Sequence, residues 1–143
     1  MKKVLIVNGP NINMLGIREP EIYGNITLKG IENELSSFAK ELKVEIDFFQ
    51  SNHEGAIVDK IQNSLNGIAG IIINPAAFTH TSVAIRDAFV AVSVPIIEVH
   101  ISNIYAREEF RHKSYIAAIA VGQITGLGID GYLFALKKIV SLI

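Results

Sequence analysis

Apolar residues along the chain gather in short β-branched runs that alternate with stretches of helical spacing. The runs from Lys3 to Asn8, Val44 to Gln50, Gly70 to Asn74 and Pro95 to His100 read as buried parallel strands, since a strand covered on both faces is continuously apolar. A fifth, weaker run spans about Ile116 to Ile124. Between them, Leu28, Ile31, Leu35, Phe38 and Leu42 share one helical face, as do Ile57, Ile61 and Leu65. Ile85, Ala88, Phe89 and Val92 form a third such face. Tyr132, Leu133, Leu136, Ile139, Val140 and Ile143 form a fourth, most simply core and extended by a subunit interface. Thr27 is placed to cap the first helix and Gly67 to close the second, while Pro95 opens a strand. Alternating strands and helices imply βαβ units and a parallel sheet with helices on both faces.

Five strands in so short a chain suggest, by analogy, a flavodoxin-like three-layer α/β fold with strand order 2-1-3-4-5. The ligand crevice of that fold lies at the carboxyl ends of strands one and three. The polar residues collect at those ends. Asn8-Gly9-Pro10-Asn11 follows the first run, Gln50-Ser51-Asn52-His53 the second, Asn74-Pro75 the third, and Glu98 through Ser102 closes the fourth. Amides, imidazoles and a carboxylate gathered on one sheet edge mark the default site. Within it, Glu98 and His100 stand two apart on one side of a strand, so the carboxylate can orient the ring. The connection from Asn11 to Gly24 is long for a βα loop and reads as a lid; its Arg18 would favour the phenolate of Tyr23.

Composition narrows the classes. The 143 residues suit one domain, residues 1–143, burying roughly two-thirds of the surface exposed when unfolded. Mean hydropathy is +0.37, yet no apolar stretch reaches the length of a membrane span, and the N-terminal run is too short for a signal sequence. A cytoplasmic location is expected. The net charge of -1, without a basic stripe, disfavours nucleic acid. Absence of cysteine removes thiolate catalysis and cysteine-ligated metals. The first loop lacks the glycine-rich nucleotide patterns, no aspartate pair follows the first strand, and the histidines lack metal-ligand spacing, so neither cofactor nor metal is expected.

Taken singly, the polar residues also have structural explanations. Arg18 suits a solvated loop charge, Tyr23 an aromatic plug, and His80 a cap for a helix starting near Thr81. Asn11 and Asn74 equally suit loop backbone bonding, and His53 and His112 suit surface or supporting places.

Long motifs decide further. They are NGPNINMLG with REPEIYG from Asn8 to Gly24, FFQSNHEG from Phe48 to Gly55, NPAAFTHTSVAIRDA from Asn74 to Ala88, EVHISN from Glu98 to Asn103, REEFRHKS from Arg107 to Ser114, and GLGIDGY near the C-terminus. Through these, over essentially its whole length, the sequence resembles the type II 3-dehydroquinate dehydratases of the shikimate pathway. One departure is Ala76, where the family usually has glycine; it touches no catalytic position.

The resemblance implies cofactor-free, reversible loss of water from 3-dehydroquinate. It implies Tyr23 as base with Arg18 lowering its pKa, Asn11 steadying the enolate through a water, and His100 as general acid held in its tautomer by Glu98. It implies that Asn74 and the backbone amides of Ile101 and Ser102 meet the substrate carboxylate, and that His80 and Arg111 meet ring hydroxyls. Asp87 matches a position that reaches a neighbouring subunit's site, in a homo-oligomer that the family builds as a dodecamer. The type I enzymes use a lysine Schiff base instead, and no lysine stands at a strand's carboxyl end here. The alternative is a non-catalytic ligand-binding module on the same fold. Arg18→Ala and Tyr23→Phe separate the two, cutting turnover far more than affinity only in an enzyme.

Overall fold

In the computed structural model the β-branched runs are strands and the amphipathic stretches are helices. The structure describes residues 1–17, 19–23 and 25–143, and for Pro20 and Tyr23 the backbone alone. Strands β1 (Lys3–Asn8), β2 (Glu45–Gln50), β3 (Gly70–Asn74), β4 (Ile96–His100) and β5 (Gly122–Thr125) are parallel, in the order 2-1-3-4-5. A short helix α1 (Pro20–Tyr23) interrupts the loop after β1. Helices α2 (Leu28–Leu42) and α5 (Asp130–Val140) cover one face of the sheet, and α3 (Glu54–Asn63) and α4 (Val83–Val92) the other. This is the expected flavodoxin-like three-layer arrangement.

Strand alternation divides the core. Val4, Ile6, Ile72, Ile97 and Val99 point toward Ile31, Leu35, Leu136 and Ile139, while Leu5, Val7, Ile71, Ile73 and Ile96 point toward Ile57, Ile61, Ile85 and Phe89. Each fully buried aliphatic side chain is worth about 1.5–3 kcal/mol, so two such layers can hold the chain without disulfides. Thr27 Oγ1 accepts from the Gly30 amide at 3.0 Å, the expected cap of α2. No helix among the described residues is long and apolar enough to cross a membrane.

Four local expectations need correction. The run from Ile116 is not strand: Ser114 Oγ accepts from the amides of Ile116 and Ala117, and the Ile116 carbonyl accepts from Ile119 and Ala120, which bends the chain into turns until β5 starts at Gly122. Ile116 is buried beneath the sheet rather than within it. The helix α3 ends at Asn63, and Gly67, with φ of 108°, belongs to the turn beyond it. Pro95 lies just outside β4, although its carbonyl still accepts from the Ile71 amide. The cap of α4 is Ser82, whose Oγ accepts from the Ile85 amide at 3.0 Å, so His80 is free of that duty.

The loops leaving β1 and β3 nearly touch. The Gly9 amide donates to the Asn74 carbonyl at 2.8 Å, and a Cβ on Gly9 would stand 2.4 Å from the Pro75 oxygen, inside backbone that cannot yield. Gly9→Ala is therefore expected to destabilise the protein by about 1–3 kcal/mol, read as a lowered urea midpoint, by forcing apart the loops that carry Asn11 and Asn74. Ala76 carries φ of 52°, in the left-handed region where glycine has no steric cost.

Candidate active site

The carboxyl ends of β1, β3 and β4 surround a small cleft. Register explains their convergence: Asn8 stands opposite Gln50 on one side and Asn74 on the other, so the polar ends of three strands lie level. Of the expected residues, Asn11, Asn74, His80, His100, Ile101, Ser102 and Arg111 all line this cleft. Glu98 lies directly behind His100. Asp87 is elsewhere, exposed on α4 and paired with Arg86 at 2.7 Å. Arg18, Gly24 and the side chain of Tyr23 lie outside the described residues.

The expected orientation of His100 has a specific geometry. Glu98 and His100 share the sheet face of Ile96, and the His100 Nε2–H donates to Glu98 Oε2 at 2.5 Å. Nδ1 is therefore the ring nitrogen left for the cleft. Glu98 is completely buried and its carboxylate is further satisfied by the hydroxyls of Thr79, donating to Oε2 at 2.9 Å, and Ser114, donating to Oε1 at 2.7 Å. Burial alone would push its pKa up. The hydrogen bond and charge of His100, with those two hydroxyls, outweigh burial and hold the carboxyl below its ordinary value, so it stays ionised.

A second ring lies parallel to the first: His80 stacks on His100 with centroids 6.4 Å apart. His80 Nδ1–H donates to the Lys113 carbonyl at 2.7 Å. Burial lowers the pKa of His80, and the nearby His100 and Arg111 charges add to this. The Lys113 carbonyl and Glu98 oppose the shift without reversing it, so His80 is neutral at physiological pH. As a neutral ring with Nδ1 committed, it presents Nε2 as an acceptor for a hydroxyl.

On the opposite face, Asn74 is held by a buried trio. The Tyr132 hydroxyl donates to Asn8 Oδ1 at 2.6 Å and accepts from Asn74 Nδ2 at 2.9 Å, while Asn74 Oδ1 accepts from the Ala76 amide. Burial raises the Tyr132 pKa, so this phenol keeps its proton. Asn74 thus has one amide hydrogen left to offer. Beyond β4, the amides of Ile101 and Ser102 make no hydrogen bond among the described residues, which suits them to an anion.

Asn11 has φ of 69°, and its amide donates to Asn52 Oδ1 at 3.0 Å. Gln50 Nε2 braces the same turn through the Gly9 carbonyl at 3.1 Å. Arg111 Nε donates to Glu108, with the guanidinium over the Phe110 ring. Sequence reasoning passed over Arg107, Thr79, Ser114 and Tyr132. Arg107 lines the cleft, donates to Ser102 Oγ at 3.2 Å and pairs with Glu19 of the long loop at 3.8 Å. In sequence it is hidden in a charge run. Tyr132 was legible in principle, because a phenol within an aliphatic stripe must find a partner for its hydroxyl. Thr79 and Ser114 carried no signal, since a hydroxyl near a turn has many uses.

One buried carboxylate, two parallel imidazoles, two guanidinium groups and free backbone amides are suited to a small polyhydroxylated anion and to proton transfer upon it. Among the described residues, no group of three or more His, Asp or Glu side chains could hold a metal ion.

Comparison with known proteins agrees in family. The model of the family described as dehydroquinase class II matches residues 2–140. A protein of Endomicrobium trichonymphae named 3-dehydroquinate dehydratase is 79% identical over 99% of each chain, and one of Halothermothrix orenii with the same name is 56% identical over 100% of this chain and 97% of its own. Among solved structures, the type II dehydroquinase of Butyrivibrio crossotus superposes with a TM-score of 0.95 at 51% identity, covering 96% of this chain and 97% of its own. With motifs, topology and cleft in agreement over nearly the whole length, the chain is an enzyme that belongs to the dehydroquinase class II family.

Proposed function

We propose that the protein catalyses the reversible dehydration of 3-dehydroquinate to 3-dehydroshikimate, without metal or organic cofactor, as a step of aromatic amino-acid biosynthesis in the cytoplasm. Relatives 79% and 56% identical over nearly the whole chain, both bearing the name 3-dehydroquinate dehydratase, support the substrate. The observation that carries the chemistry is the buried Glu98–His100 pair, opening onto the cleft through the other edge of the imidazole.

The substrate is a β-hydroxy ketone, so its dehydration needs a base for the hydrogen α to the carbonyl and an acid for the departing hydroxyl. Tyr23, as phenolate beside Arg18, takes that proton and leaves an enolate, which Asn11 steadies through a water. The enolate electrons then form the ring double bond as the C–O bond breaks, and His100 delivers the proton that turns the hydroxyl into water. Asn74 and the amides of Ile101 and Ser102 hold the carboxylate, while neutral His80 and Arg111 hold ring hydroxyls. Neutral donors anchor that anion without adding a strong cation to disturb the tyrosine's titration. Asp87, remote from its own cleft, serves a neighbouring subunit in a homo-oligomer, the dodecamer of the family.

The test is direct. Protein, 3-dehydroquinate and a chelator are mixed and ultraviolet absorbance is followed; the conjugated enone band is expected to grow. A folded, assembled protein that produces no band overturns the assignment. The Asn11 to Gly24 loop is expected to close over substrate, given its length and its glycine boundaries. Limited proteolysis checks this: saturating ligand should protect the loop, and unchanged cleavage counts against closure.

A further inference from the structure

The strap that follows the turn Glu109–His112 spends three successive residues on the site. The Lys113 carbonyl accepts from His80 Nδ1, the Ser114 hydroxyl donates to Glu98 Oε1, and the Tyr115 amide donates to the Thr79 carbonyl at 2.9 Å. Ser114 Oγ meanwhile accepts from the amides of Ile116 and Ala117, at 3.1 and 3.0 Å. With its lone pairs so occupied, its only proton has one use, the Glu98 carboxylate. Thr79, also completely buried, donates to the other carboxylate oxygen at 2.9 Å and stands 3.3 Å from His100 Nε2.

We propose that Thr79 and Ser114 are positioning residues of the dehydration, which by donating to opposite oxygens of Glu98 fix the carboxylate that sets the tautomer and direction of His100. Neither hydroxyl lines the cleft, so both act through Glu98. The inference rests on the function proposed above, with His100 as acid. Its physical basis is that a buried carboxylate with unfilled acceptor sites can rotate or take up a proton, and either change frees the imidazole. Two hydroxyl donors from separate segments prevent both. The same strap, through Lys113, commits His80 to the tautomer that presents Nε2, so one piece of chain orders both rings.

The titratable groups facing Glu98 are His100 on its own strand and His80 on the turn before α4, with Arg111 facing His80. Thr79→Val and Ser114→Ala in the intact protein are expected to lower kcat about ten- to a hundredfold with KM within about twofold. The acid limb of the kcat–pH profile should move to higher pH, because a carboxylate with fewer donors protonates more readily. Thr79→Ser and Ser114→Thr, which keep the hydroxyl, should restore both. In the unmodified protein, nitrogen NMR of the rings at neutral pH should find His100 protonated at Nε2, a readout independent of turnover. Loss of kcat with an unmoved limb and no rescue would reduce both residues to structural supports and overturn the proposal. So would full activity in both apolar variants, or a neutral His100 protonated at Nδ1. An unmodified protein inactive on 3-dehydroquinate would instead refute the functional reading, leaving the NMR result to judge the tautomer.

Discussion

His100→Ala is expected to lower kcat by about two to four orders of magnitude, the range spanned by a positioned general acid, while KM changes far less. The hydroxyl leaving a β-hydroxy ketone is a poor leaving group unless protonated as the C–O bond breaks, and His100 is the group whose orientation the structure most fully secures. Its Nε2 is committed to Glu98 and its ring lies against His80 at 6.4 Å, so little freedom remains except to exchange a proton at Nδ1. Steady-state kinetics with 3-dehydroquinate measures the effect, and circular dichroism verifies that the variant is folded. Turnover within a few-fold of the unmodified protein would show that another group protonates the leaving oxygen. The truncation also empties a buried site, but a void lowers stability and leaves no reason for KM to be spared.

Glu98→Gln is the second large effect, expected to cost about two to four orders of magnitude in kcat. The carboxamide matches the carboxylate in shape but not in hydrogen-bonding sense. Three donors converge on Glu98: the His100 ring, the Thr79 hydroxyl and the Ser114 hydroxyl. An amide nitrogen among them opposes donor to donor, and the change most open to the site is for His100 to switch tautomer, withdrawing the proton arrangement that the proposed mechanism uses. The variant should also be less stable by about 1.5–3 kcal/mol near neutral pH, the worth of hydrogen bonds to a charged group.

The sign of its pH dependence follows from the depressed pKa. Burial alone would raise it, but His100, Ser114 and Thr79 hold the folded value below the ordinary 4.5, so the folded protein binds this proton less readily than the unfolded chain. The carboxylate's contribution is therefore fully present above about pH 4.5 and is lost as pH falls through the folded value. Urea midpoints across the acid range should fall for the unmodified protein and fall less steeply for Glu98→Gln. Parallel curves would show that Glu98 is not the group responsible.

Much of this was legible from pattern. Apolar runs marked β1 to β4 to within a residue, and most plainly the three interior strands β1, β3 and β4, because strands buried on both faces admit little else. The helices were visible because each buries one stripe, and the strand-end amides and imidazoles because loops at one sheet edge have no packing use for so many polar groups. Where the pattern failed, a local hydrogen bond had overruled it. The run from Ile116 looks like strand, yet two amides captured by Ser114 Oγ bend it into turns, and no hydropathy count registers a captured amide.

By itself, then, the sequence determined the fold class, the strand order by analogy, the family through its long motifs, and the pairing of Glu98 with His100, since residues two apart on a strand share a face whatever surrounds them. The tertiary structure alone decided what holds that pair. Thr79 lies 19 positions from Glu98 and Ser114 lies 16, Tyr132 reaches Asn8 across 124, and Arg107 meets Glu19 only because two loops share an edge. Such contacts have no period and no spacing, because they arise where separate elements end beside one another in space. Tautomers, pKa shifts and free amides depend on those contacts, so they could be read only once the chain was folded.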